Sequence, residues 1–295
     1  MTSFQRAHSE EQREVRRRAI LDAAAAMLTE MPVAQVTLSE LSRRAGLAKS
    51  NVLRYFESRE AVLLEVLNAE SRHWLDGLDA ELELAADGAA VAGSGNGLAD
   101  TGAAVAGGAD RSANARPAVA DRGEQPVGVE LAGRGDRLAD TGAAVAGGAD
   151  RSADARPAVA ERGDRLADAL AKSLAGRPVL CDLSSAQAAV LEHNVSPEAA
   201  ARYKHVAVAQ VSELGGLLRK RLPELSEPAG TRLAALTIMV AGAVWTHSHP
   251  GAAVRAVYES DSVLAQWRMD FASGLRETLE VLIAGLLSRR DQASS

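Results

Sequence analysis

Between Thr37 and Phe56 the chain reads TLSELSRRAGLAKSNVLRYF, and its side chains are of two kinds. Leu38, Leu41, Ala45, Val52 and Phe56 recur at helical spacing and suit a buried face. Lys49, Ser50, Asn51, Arg54 and Tyr55 carry hydrogen-bonding groups and fall on the opposite side of the second half of the run. Arg, Lys and Asn are the side chains that read base edges, and Ser and Tyr also serve phosphates. A short helix presenting them outward fits a DNA major groove. The chemistry on offer is therefore recognition by hydrogen bonding.

Local signals make this run two helices and a tight turn. Thr37 stands at an N-cap position with Glu40 three residues on, the spacing of a capping box. Gly46 suits the left-handed residue that ends a helix, and Leu47 can pack back behind it. The second helix is expected from Lys49 to Tyr55, with Ala48 at its cap position offering no side-chain oxygen.

Residue constellations for catalysis are thinner. His247 and His249 stand before Pro250 without a third ligand in sequence, and a metal site needs three or four. Asp182, Glu192 and His193 have no nucleophile motif beside them, and Cys181 reads as a small buried side chain. The expectation is a protein that is no enzyme and uses no metal or other cofactor.

The flanking elements must hold the turn in place. From Arg13 an apolar stripe, Ala19, Ile20, Ala23, Ala24, Met27 and Leu28, predicts a first helix, preceded by a flexible arm up to about Glu11 and ended by Pro32. Arg13, Arg16, Arg17 and Arg18 crowd its start, where cations oppose the helix dipole, so phosphate contact is the better explanation. Ser58 caps a fourth helix whose buried side is Val62, Leu63, Val66, Leu67, Trp74, Leu78 and Leu82, reaching about Leu84. Residues 13–72 make up the expected DNA-binding domain. The net charge of −6 excludes indiscriminate nucleic-acid binding, yet residues 1–60 carry ten Arg and Lys against eight Asp and Glu.

Residues 85–163 change character. The stretch Leu98–Gly123 recurs as Leu138–Gly163 with two differences, and GAAVAG begins at Gly88, Gly102 and Gly142. Two copies rich in small side chains bury too little to offset chain entropy, so an Ala/Gly-rich disordered insert is expected, grown by duplication. From 164 to 290 helical patterns return over Arg165–Ala175, Ser184–His193, Pro197–Lys220, Thr231–His247 and Val254–Leu287. No segment alternates with a strand period, so the fold class is all-α: an N-terminal three-helix head, the insert and a C-terminal helical bundle. His193, Tyr203, His205, Met239 and Trp245 are candidates to line a cavity for a small effector. Leu264, Trp267, Phe271, Leu275 and Leu279 stripe the last helix and are candidates for a two-fold interface, because reading a pseudo-palindromic operator takes a homodimer. The lone cysteine, the charged N-terminus and the absence of about 18 unbroken apolar residues point to a cytoplasmic protein outside membranes.

Residues 36–67, VTLSELSRRAGLAKSNVLRYFESREAVLLEVL, resemble the N-terminal domain of TetR family transcriptional regulators, with the likeness covering about 13–70. The segment PVLCDLSSAQAAVLEHNVS, residues 178–196, is similar to that of some members. The resemblance implies an Ω-shaped homodimer, joined by its last two long helices, with an effector pocket in the C-terminal domain. It assigns phosphate contacts to Thr37 and Arg59, and a reading surface to Lys49, Ser50, Asn51, Arg54 and Tyr55. Two departures stand out: Ala48 replaces a capping Ser, and Arg54 stands where an aromatic is usual. The resulting expectation is a sequence-specific repressor released by an effector. The alternative is a helical scaffold protein that keeps the helix-turn-helix only as a fold.

Overall fold

The computed structural model describes the backbone of residues 3–94 and 151–293, with side chains over 10–86 and 156–289. Among the described residues every regular element is a helix, as expected of the all-α class. α1 spans Ser3–Glu30, α2 Leu38–Arg44, α3 Lys49–Val52 and α4 Arg59–Ser94. Then follow α5 Arg151–Ala175, α6 Pro178–Ala186, α7 Pro197–Arg221, α8 Glu227–Ser248, α9 Ala252–Ser260, α10 Ser262–Ala265 and α11 Phe271–Ala293. A 3₁₀ turn, Val33–Gln35, joins α1 to α2, and a π turn, Gln187–Leu191, follows α6.

Several limits differ from the sequence reading; the helix expected over Ser184–His193, for one, starts at Pro178 and gives way to the π turn after Ala186. α1 begins at Ser3 rather than near Arg13, since no Gly or Pro stands between them to stop it. α4 runs past Leu84 to Ser94, and α5 starts at Arg151, so the ends of the 85–163 segment are helical. The expectation of disorder for 95–150 falls outside the described residues. The tail of the second repeat is part of the fold: Val159 packs on the core, and Gly163 passes so close to α11 that a Cβ there would stand 2.9 Å from Ile283 Cγ2.

The core is organised along α4. Ser58 accepts a hydrogen bond from the Ala61 amide at 3.1 Å and starts the helix, and Val62, Leu63, Val66, Leu67, Trp74, Leu78 and Leu82 are all buried. Burying Trp74 demands a partner for its indole N–H, which donates to Ser173 Oγ of α5 at 2.9 Å. The Ser173 hydroxyl in turn donates to Glu81, and Arg177 donates to the same carboxylate at 2.9 Å. On the other flank Gln210 Nε2 of α7 donates to the Asn68 carbonyl at 2.9 Å, and Lys220 and Arg221 pair with Asp79 at 2.7 and 2.6 Å. Such partly exposed ion pairs contribute roughly 0–1 kcal/mol each, so the leucine packing holds the helices while the pairs set their register.

α8 is the one described helix long and apolar enough to cross a membrane. Leu233, Ala234, Thr237, Ala241 and Val244 are buried along it, and its packing against α6, α7 and α11 accounts for that composition as a core helix.

The single long helix expected over Val254–Leu287 is broken into α9, α10 and α11. Asp261 caps α10, accepting from the Val263 and Leu264 amides at 2.8 and 3.1 Å, and Asp270 accepts from the Ser273 amide at 2.9 Å at the start of α11. Phe271, Leu275 and Leu279 are 7%, 0% and 0% exposed within one protomer. They pack where α11 lies along α5 and α8, so this part of the proposed dimer stripe is core and has no surface left for a partner. Leu264, on α10, and Trp267, in the turn after it, are exposed. Leu275→Ala should therefore cost about 2–5 kcal/mol of protomer stability. A melting-temperature loss equally large at low and high protein concentration is the expected result; a loss that vanishes at high concentration would return Leu275 to an interface.

Candidate nucleic-acid interface

Thr37 Oγ1 accepts the Glu40 amide at 3.2 Å and caps α2. The Glu40 carboxylate makes no reciprocal bond to Thr37. It is held by Arg43 at 2.9 and 2.5 Å and by Arg44 at 3.1 Å, and hydrogen bonds from these two guanidiniums hold its carboxyl down at about 2. Arg44 also donates to Glu30 at 2.8 and 2.6 Å, which ties α2 to the last turn of α1. α2 ends at Gly46, whose φ of +66° is the left-handed conformation that a side chain resists. The Gly46 and Leu47 amides donate back to the Arg43 and Ser42 carbonyls at 3.2 and 3.0 Å.

Ala48 opens α3 without a side-chain cap. The α-helical part is a single turn, Lys49–Val52, shorter than the expected Lys49–Tyr55. Beyond it the Arg54 and Tyr55 amides reach back three residues, to Asn51 and Val52 at 3.2 and 2.9 Å, so the second turn is tightened. Val52 and Phe56 are buried beneath it. Lys49, Ser50 and Arg54 are exposed, and Asn51 and Tyr55 are half-buried with them. Leu53, exposed between Asn51 and Arg54, also belongs to this surface; it suits a thymine methyl, and its place in the run is the signal that sequence reading passed over.

The arginines separate into two groups. Arg13 and Arg16 of α1 line a groove of about 370 Å³ together with Gln12, Arg54 and Tyr55. Three guanidiniums around one open groove beside the reading turn suit a phosphate backbone. Arg17 is turned the other way, over the Phe56 ring at 4.7 Å and paired with Glu65. Arg59, expected at a phosphate, is also turned inward: it donates to the Val36 carbonyl at 2.8 Å and pairs with Glu60 at 3.1 Å. Its side chain is 19% exposed, and it braces the residue before Thr37 while Thr37 itself stays exposed.

Two family models match this chain. Residues 20–66 match the one described as bacterial regulatory proteins, tetR family. Residues 138–290, slightly more than half of the chain, match the one described as tetracyclin repressor-like, C-terminal domain. The chain belongs to the TetR family of transcriptional regulators. No curated protein matches it. The TetR-type head thus contains the reading turn, and the C-terminal match begins at Leu138, the first residue of the second repeat copy.

Within the TetR body the five candidate effector residues do not meet. Tyr203 is buried and lines a cleft of about 430 Å³ with Arg17, Phe56, Leu64, Asn68 and Arg202. Trp245 faces a separate cavity of about 400 Å³ beside Met31, Pro178 and Asp182, stacked on His249 with ring centroids 3.7 Å apart. His193, His205 and Met239 are exposed and line neither: α7 and α8 turn His205 and Met239 outward, and His193 lies in the open turn before α7. Cys181 is buried, and burial pushes its thiol up to about 12, away from thiolate chemistry. Among the described residues no three His, Cys, Asp or Glu side chains gather to hold a metal.

The two arginine groups should respond differently to removal. Arg54→Ala should weaken binding by about 1–3 kcal/mol and relax preference at one position of a half-site. Arg59→Ala should lower the melting temperature, leaving the Val36 carbonyl short of a partner at roughly 1–3 kcal/mol, and should weaken every duplex alike. Gel shifts on specific and scrambled duplexes, with melts of both variants, check the distinction.

Proposed function

We propose that this TetR family member is a cytoplasmic repressor that binds a pseudo-palindromic operator as a homodimer and leaves it when a small effector binds. Lys49, Ser50, Asn51, Leu53, Arg54 and Tyr55 read the major groove, and Arg13, Arg16 and Thr37 take the phosphates. The observation that carries the release step is the position of the Tyr203 cleft. Its walls come from the head (Arg17, Tyr55, Phe56 and Glu57), from the first turns of α4, and from the start of α7.

Two contacts set the angle between head and body at this level. The Ser196 amide at the start of α7 donates to the Glu57 carboxylate, a bond that holds the Glu57 carboxyl below its ordinary range. From the turn between α1 and α2 the Val33 amide donates to Asp182 of α6 at 2.6 Å. A ligand wedged into the cleft acts directly on the Glu57 strut. With the Asp182 strut as pivot the head rotates, and a shift of an ångström or two takes the reading side chains out of hydrogen-bond range.

The lining of the cleft suits a small aromatic molecule: Phe56, Leu64, Tyr203 and Val206 supply apolar walls, and Asn68 and Arg202 supply polar anchors. The alternative, a scaffold that keeps the helix-turn-helix only as a fold, requires no specific DNA. Retention of the DNA fragment upstream of its own gene, against excess scrambled competitor, is the expected result; equal retention of both supports the scaffold. Any small molecule that releases the fragment should also raise the melting temperature. Both effects should disappear in Val206→Trp, whose indole fills the cleft mouth, and a response that survives there places the effector elsewhere.

A further inference from the structure

From Gly251 to Asp270 the structure holds a segment with almost no attachment to its own protomer. Of these twenty residues Tyr258 alone is half-buried and the others are exposed. The segment contains α9 and α10, neither of which has a buried residue, and the two pack chiefly on each other. Its open surface carries Val254, Val257, Val263, Leu264, Trp267 and Met269, between 39% and 77% exposed, with Trp267 the most open. Helices of nine and four residues do not persist in water unaided, and side chains this apolar favour cover.

The segment leaves and re-enters the body at one place. Trp245, in the last turn of α8, meets Phe271, the first residue of α11, edge to face with centroids 5.3 Å apart. The twenty residues between are therefore an excursion from a closed junction, an arm. We infer that this arm docks on a second copy of the chain, each protomer's α9–α10 segment covering apolar surface of the other around Trp267. The inference rests on the homodimer reading and assigns to it a contact that the body helices do not supply.

Three observations select a second copy as the occupant. Both helices from which the arm springs carry open apolar side chains of their own, Met239 of α8 at 68% and Val281 of α11 at 73% exposure, so helices and arm alike present apolar surface that favours cover. A stable interface takes about 20–30 residues from each partner. The arm's twenty residues come close to the lower end of that number, and exposed positions of α8 and α11 such as Met239, Val281 and Gly285 add to it. The arm is also nearly neutral, with Arg255 and Arg268 against Glu259, Asp261 and Asp270, which suits self-association and suits neither DNA nor an anionic lipid surface. Exchange of identical arms about a two-fold axis closes the assembly and leaves no open edge.

Two measurements on the full chain test it. In the first, residues 253–267 are replaced by a short glycine-serine linker, and dimer dissociation is followed by sedimentation. The dissociation constant should rise by about thirtyfold or more, the loss of at least one interface hot spot. In the second, the fluorescence of Trp267 is taken as the difference between wild type and Trp267→Phe. It should be blue-shifted and shielded from acrylamide in the dimer, and should turn red and accessible on dilution to monomer. This reading does not depend on the linker variant folding. A dimer whose Trp267 is fully accessible, or one unweakened by the linker, overturns the arm contact and leaves the homodimer standing. A wild-type chain that stays monomeric at high concentration overturns the homodimer, and the arm contact with it.

Discussion

The structure depends on one shared helix. α4 starts in the DNA-facing head, capped by Ser58, and its side chains from Val62 to Leu82 are buried successively in head and body. The Trp74 indole is the point where that burial imposes a polar constraint, answered by the chain through Ser173, Glu81 and Arg177. Of these groups the Trp74 indole is the buried one, so loss of Ser173 would strand its N–H, while Glu81 and Arg177 stay partly exposed and hold the Ser173 hydroxyl in place. α4, α5 and the start of α6 are thus locked, and α7 is held to the opposite flank through Gln210 and the Asp79 pairs. A head mounted on such a frame has little freedom except at its own base.

That base is where the guanidinium chemistry is divided. Arg17, Arg44 and Arg59 face inward, onto Glu65, Glu30 with Glu40, and the Val36 carbonyl, and they fix the turn that presents the reading surface. Arg13, Arg16 and Arg54 face outward around an open groove. One residue type does both jobs because its fork can satisfy a carbonyl or a carboxylate as well as a phosphate. The head is hydrogen-bonded to α6 through Asp182 and to the start of α7 through Glu57, and the Tyr203 cleft opens beside the second. Little free energy is needed to disturb such a contact, since recognition falls off within a few tenths of a hydrogen-bond length.

Much of this was legible in the residues and some was not, for physical reasons. The cap at Thr37, the left-handed Gly46 and the buried stripe of α4 follow from local rules, and the structure contains all three. The direction of Arg59 is set by a carbonyl 23 positions away in sequence, which no local pattern records. Phe271, Leu275 and Leu279 form a stripe whether they face α5 or a second copy, and periodicity cannot tell one apolar neighbour from another. The break before Phe271 did have a signal: Asp261 and Asp270 are helix-capping residues inside an otherwise helical run. The five aromatic, histidine and methionine positions chosen for a pocket were chosen by type alone, and burial sorted them onto different surfaces.

In the proposed function two such heads read DNA together through the surface from Lys49 to Tyr55. Selection of bound duplexes from a randomised pool by the purified full chain, followed by sequencing, tests it most directly. The expected result is enrichment of a two-fold symmetric site whose half-site centres lie about 10 base pairs, or a multiple of that, apart. A pool that shows no enrichment, or one that converges on a single asymmetric site, contradicts it.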